Sequence, residues 1–206
     1  MMPMRRRAAC ILLPLLLAAC GALRSRPPEQ TYRMAYAPPA PAGGVPATLR
    51  VLPFGIAAAY DRMGFVYREG PYDVGVDNYH RWIADPAAMI TDLVARDLAA
   101  ADAFQAVLQS PSALPATYEL SGWIETLEER DDEGCKAHIR LRALFVHITE
   151  RGARQVLFED SLTSDEPCTA GDASTFAGSM SRAVQQLSDD LRTRLVTAAL
   201  APPPAP

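Results

Sequence analysis

Lys136-Ala-His-Ile-Arg-Leu-Arg-Ala-Leu-Phe-Val-His-Ile-Thr-Glu-Arg-Gly-Ala-Arg-Gln-Val-Leu-Phe-Glu-Asp-Ser-Leu-Thr163 is the stretch whose reading decides the fold. Lys136–Thr149 and Gln155–Thr163 alternate apolar and polar residues around the turn Glu150-Arg151-Gly152-Ala153, which predicts a β-hairpin. With the turn centred between Arg151 and Gly152, cross-strand partners have numbers summing to 303. Phe145 then falls opposite Phe158 and Leu141 opposite Leu162, on one apolar face. The same register sets Cys135 opposite Cys168. A disulfide there stabilises by about 4 kcal/mol in the chain-entropy model. A slip of one residue leaves two separate thiols instead.

Working outward, Thr117–Glu128 sets Tyr118, Leu120, Gly122 and Ile124 against Glu119, Ser121, Trp123 and Glu125, a further strand; Glu128–Gly134 reads as a charged loop. After the hairpin, Phe176, Met180, Val184, Leu187, Leu191 and Leu195 recur at steps of three and four. This is one apolar face of a helix, with Asp172 as its N-cap and Arg182, Gln186, Asp189, Arg192 and Arg194 on the wet side. Upstream, Asp85-Pro86 opens another helix carrying Met89, Ile90, Leu93, Val94 and Leu98 inward. Short strands are expected at Thr31–Tyr36, Thr48–Phe54 and Phe104–Leu108. A hairpin of Gly64–Arg68 with Tyr72–Val76 is expected across Glu69-Gly70-Pro71. Residues 37–46, with four prolines and two glycines, read as a loop. The expected fold is α/β: a single domain over residues 31–200, with a mixed, mostly antiparallel sheet and two main helices packed on it.

The N-terminus carries a different message. Arg5, Arg6 and Arg7 precede an apolar run from Ala8 to Ala19 that closes on Leu17-Ala18-Ala19-Cys20. This pattern is a bacterial lipoprotein signal: residues 1–19 are removed and the Cys20 thiol takes a diacylglycerol. The run is interrupted by Pro14 and falls short of the roughly 20 residues needed to span a bilayer. Residues 20–30 then form a lipidated tether, and residues 201–206 a frayed tail. Gly21, in place of an aspartate that would favour the inner membrane, assigns the outer membrane as the address.

Removal of three arginines takes the formal charge from −4 to −7. An acidic chain is a poor partner for nucleic acid. Beyond Cys20 only Cys135 and Cys168 remain, and an exported pair of cysteines meets an oxidising compartment.

Several pieces in this order resemble the ABC-type transport auxiliary lipoproteins, the PqiC-like group: the lipobox, Thr48-Leu-Arg-Val-Leu-Pro-Phe54, Tyr60-Asp61-Arg62, Val66-Tyr67-Arg68, Tyr79-His80-Arg81-Trp82 and the helix behind Pro86. The resemblance implies a fold like the anticodon-binding and TolB amino-terminal domains. It implies a periplasmic domain on an acyl anchor, serving lipid transport with an ABC transporter and a mammalian-cell-entry (MCE) type periplasmic substrate-binding protein. A second reading, from another class, is an outer-membrane assembly scaffold or chaperone unconnected to a transporter.

Tyr60, Arg62, Arg68, Arg81 and Trp82 are the candidates for contact with a protein partner or phospholipid, because aromatic residues and arginine concentrate interface energy. The competing reading makes Trp82 core and pairs Arg62 or Arg81 with Asp61 or Asp85. Catalysis has no support: no G-x-S-x-G, S-x-x-K or H-E-x-x-H occurs, nor a phosphate-binding G-x-x-x-x-G-K-S/T loop. His80, His138 and His147 lack metal-ligand spacing, so neither a metal nor a cofactor is expected beyond the covalent lipid on Cys20.

Overall fold

The structure, a computed structural model, describes residues 28–132 and 134–201. The leader, Cys20, the tether up to residue 27 and the tail at 202–206 lie outside them. In chain order the strands are β1 (Gln30–Tyr32), β2 (Val45–Val51), β3 (Gly55–Ile56), β4 (Gly64–Arg68), β5 (Val74–Trp82), β6 (Phe104–Gln109), β7 (Tyr118–Arg130), β8 (Lys136–Ile148) and β9 (Arg154–Pro167). The helices are α1 (Pro86–Ala100) and α2 (Ala173–Leu200).

All nine strands join one open mixed sheet. Its axis is β7. Along one edge β7 pairs antiparallel with β8 from Tyr118↔His147 to Arg130↔Lys136. Along the other edge β2, β3 and β4 follow one another, each parallel to β7. β6 lies outside β2, β5 outside β4, and β1 outside β5. The long ladders, β7–β8 and β8–β9, are antiparallel, and the parallel ladders are short.

The expected hairpin forms with the expected partners, Phe145↔Phe158 and Leu141↔Leu162. The centre of its turn differs by half a residue, because a bulge between Phe145 and Val146 sets Val146 against Val156. Beyond that bulge the register runs on to Lys136↔Pro167. Cys168 N–H donates to the Cys135 carbonyl at 3.0 Å. The two Cα atoms are 5.0 Å apart and the sulfurs are bonded.

α2 lays its stripe on the sheet. Phe176, Met180, Val184, Leu187, Leu191 and Leu195 are each at most 1 % exposed. Each such burial contributes about 1.5–3 kcal/mol. Asp172 caps α2 by accepting from Ser174 N–H (2.9 Å) and Thr175 N–H (3.1 Å), and Asp85 caps α1 from Ala88 N–H at 2.8 Å. Among the described residues no helix is long and apolar enough to cross a membrane.

Four local expectations change. The strand expected at Tyr72–Val76 runs instead from Val74 to Trp82, which leaves Tyr72 in the turn. The first strand stops at Tyr32, because the chain then leaves the sheet for the helix layer. There Met34 is buried, Ala35 N–H donates to Ser181 Oγ at 3.1 Å, and Tyr36 Oη donates to Asp97 Oδ2 at 2.8 Å. The loop ends at Gly44, where an added Cβ would lie 2.0 Å from the Ala103 carbonyl oxygen. β2 thus begins at Val45, with Pro46 in an irregularity of its ladder with β6, where no N–H is demanded. The charged stretch from Glu128 continues β7 to Arg130. Its phase changes at a bulge between Ile124 and Thr126, so that Leu127 joins the core.

Gly122 sits under the Phe54 ring, 2.7 Å from where a Cβ would stand. Phe54 is itself buried, so it has little room to move. Gly122→Ala should lower stability by about 1–3 kcal/mol in denaturant unfolding, and Phe54→Leu should recover part of that loss when the two are combined.

Candidate functional site

Successive strand residues point to opposite faces. Leu127, Ala137 and Ile139 face the helices, so Glu128 and His138 point to the far side of the sheet. Both are nevertheless buried, at 2 % and 4 % exposure. The burial comes from the β3–β4 connection and from neighbouring side chains. Tyr60 Oη donates to Glu128 Oε2 at 2.8 Å. Arg68 Nε and Arg130 Nε each donate to Glu128 Oε1 at 2.9 Å. Arg68 also reaches Asp132 Oδ2 at 3.6 Å. A buried carboxylate is tolerated only with such compensation. Tyr60's hydroxyl pKa is pushed up to about 12, first by burial and then by Glu128.

Beside this centre, His138 Nδ1 lies 2.7 Å from Asp165 Oδ1. Burial pushes the imidazole below its ordinary range, and Asp165 opposes that only in part. The imidazole is fixed in place by that hydrogen bond. The outer rim of the patch consists of the partly exposed guanidinium edges of Arg68 and Arg130. Their spare N–H groups suit an acidic side chain or a phosphate oxygen.

Of the five residues singled out in the sequence, Tyr60 and Arg68 meet at Glu128. Arg62 lies on the same connection, exposed, and donates only to the Ala58 carbonyl at 3.3 Å. Arg81 is set apart on β5 and pairs with Glu29 at 3.1 Å, not with Asp61 or Asp85. Trp82 is a correction. It is 2 % exposed and packs on Phe65, ring centroids 4.4 Å apart, and on Phe176 at 6.0 Å. An indole enclosed by two rings and a helix presents no surface to a partner; its place is the core. Glu128, Arg130, His138 and Asp165 escaped the sequence reading. The Ile124/Thr126 bulge changes the alternation just before Glu128, and a charged run looks solvated in sequence. The usable signal was the alternation of Ala137 and Ile139 around His138.

On the helix side of the same strand, Glu129 lies with its Oε1 3.1 Å from Cys135 Sγ. Among the described residues, Glu129, Cys135 and Cys168 form the one grouping of metal-ligating atoms, and both sulfurs are taken up in their mutual bond. Burial, and then the charges of Asp131 and Asp77, push the Glu129 carboxyl up to about 7, with His80 opposing. The folded state therefore holds a proton that the unfolded chain releases near its ordinary carboxyl value. Stability from this group is complete below that unfolded value and is lost as pH rises to about 7. Urea unfolding from pH 5 to 8 should show this decline, on the order of 1 kcal/mol after solvent screening. Glu129→Gln should flatten it and leave the protein more stable than the parent at pH 8.

The geometry is a saturated polar centre with a rim of two partly exposed guanidinium groups. The sequence model of the ABC-type transport auxiliary lipoprotein component matches residues 32–192. The chain belongs to that family, whose members are auxiliary lipoproteins of transport systems in the cell envelope and not a family of enzymes. The chain is similar in structure to a crystallised protein of Xanthomonas campestris, with a TM-score of 0.73 and 19 % identity over 82 % of this chain and 95 % of that one. It also resembles a hypothetical protein of Chlamydia trachomatis, with a TM-score of 0.52 and 15 % identity over 78 % of this chain and 100 % of that one. These likenesses concern the fold alone. No curated relative matches the sequence.

Proposed function

We propose that this chain is an acyl-anchored periplasmic component of an ABC-type system that moves phospholipid or another hydrophobic substrate, and that it works by docking on the system's MCE-type substrate-binding protein. Family membership over residues 32–192 is the observation that carries this reading. The lipobox ending at Cys20 supplies the anchor and the outer membrane is its address; two or more acyl chains hold a protein stably. An oxidising periplasm favours the Cys135–Cys168 bond. The docking contacts are assigned to Arg62 and to the rim of Tyr60 and Arg68, with Arg81 as a second point on β5. The domain contributes recognition, and the partner ATPase contributes the hydrolysis.

Capture of the anchored protein in mild detergent should recover the substrate-binding protein. Arg62→Glu combined with Arg81→Glu should weaken that capture about tenfold or more without changing the melting temperature, since both side chains are outside the core. Trp82→Ala should do the reverse: a loss of about 3–5 kcal/mol in stability, with undiminished capture by the folded fraction. Recovery of outer-membrane assembly factors in place of any transporter component would favour the scaffold reading. Cys20→Ala should abolish palmitate labelling and leave the precursor unprocessed; persistent labelling would overturn the anchor.

A further inference from the structure

The β4–β5 hairpin ends in Glu69-Gly70-Pro71-Tyr72-Asp73, and Tyr72 at its tip is 99 % exposed. Val74, the first residue of β5, is 50 % exposed. Nothing in the described fold covers the Tyr72 side chain, and half of Val74 is open to solvent. The tip projects past Arg68 and Arg130, beyond the end of β7.

The described chain enters β1 from the side of this tip. β1 is parallel to β5, with Gln30 opposite His80, so the chain read backward from Gln30 advances along β5 toward Val74. Pro28 lies level with Asn78. From there to Tyr72 is six residues of hairpin, about 20 Å at strand rise. From Pro28 back to Cys20 is eight residues, at most about 29 Å when fully extended. An acyl anchor on Cys20 therefore reaches the level of the tip with a few ångströms to spare.

We infer that the Pro71–Val74 tip seats in the headgroup layer of the membrane that holds the anchor, with Tyr72 as its interfacial residue. This rests on the reading of Cys20 as the acylated residue. Tyrosine suits that depth, because its ring is apolar and its hydroxyl stays hydrated. The charge around the tip selects the surface. Glu69 and Asp73 flank Tyr72, and Asp132 stands behind Arg68. A lipid surface of little net charge accepts the tip, and an anionic one repels it. One tyrosine and one valine bind weakly by themselves. The tether raises their local concentration to the millimolar range, so the contact forms only in the anchored protein.

The test uses the purified lipoprotein in phosphatidylcholine vesicles with brominated acyl chains. Tyr72→Trp places the reporter at the tip. Ile83→Trp places it at the opposite end of β5, where Ile83 is 60 % exposed. Bromine should lower the added Tyr72→Trp emission about twofold and leave the added Ile83→Trp emission unchanged. Replacing part of the lipid with phosphatidylglycerol should reduce that quenching. Equal quenching of both variants in protein that floats with the vesicles would overturn the inference. So would unquenched Tyr72→Trp together with loss of transporter capture by Tyr72→Ser, which would make the tip a protein contact. If the lipoprotein does not float, the acylation reading fails. The chain from Cys20 onward, which contains the whole described fold, is then coupled through the Cys20 thiol to a maleimide lipid, and the same quenching decides the tip.

Discussion

β7 is paired on both edges, and the rest of the molecule is arranged by that constraint. Its backbone groups are taken on one side by β8 along the full strand and on the other by β2, β3 and β4 in succession. Three chain segments must therefore lie end to end against one strand, each running the same way. That arrangement forces a connection between each pair. The β3–β4 connection folds over the far face, and there it brings Tyr60 onto Glu128. The patch read here as a docking rim is thus a consequence of how β7 is paired.

The helix side shows the complementary requirement. α2 covers β8 and β9 with one unbroken apolar stripe, and aromatic rings anchor its first turns. Phe176 lies 4.9 Å from Phe65, which in turn lies 4.4 Å from Trp82 and 5.2 Å from Tyr32. This cluster ties α2 to β4, β5 and β1 at once. It also holds β1, the short first strand of the described chain. A second cluster of Phe104, Tyr118, Phe145 and Phe158 does the same for the other end of the sheet. The aromatic richness of residues 60–82 thus serves two ends: Phe65 and Trp82 build the fold, while Tyr72 faces outward.

The folded domain offers two partly exposed guanidinium groups around a neutralised carboxylate, an exposed arginine on a loop, and an exposed tyrosine at a hairpin tip. None of these contacts depends on a reactive group.

Much of this was legible in the chain alone. The spacing of Phe176 through Leu195 specified α2 and the face it buries, because a helix repeats every 3.6 residues whatever surrounds it. Asp85 and Asp172 marked the caps through local hydrogen bonding. The alternation of β8 and β9 specified a register that brings Cys135 to Cys168, and the bulge at Phe145 altered only the turn side. Tertiary structure alone decided the parallel partners of β7, the burial of Trp82 and the depth of Glu128. The reason is one of range. Periodicity and capping act over a few residues, whereas a parallel neighbour is chosen by contacts between segments far apart in sequence. A tryptophan or a glutamate carries no mark of which face its strand will turn toward until those neighbours are in place.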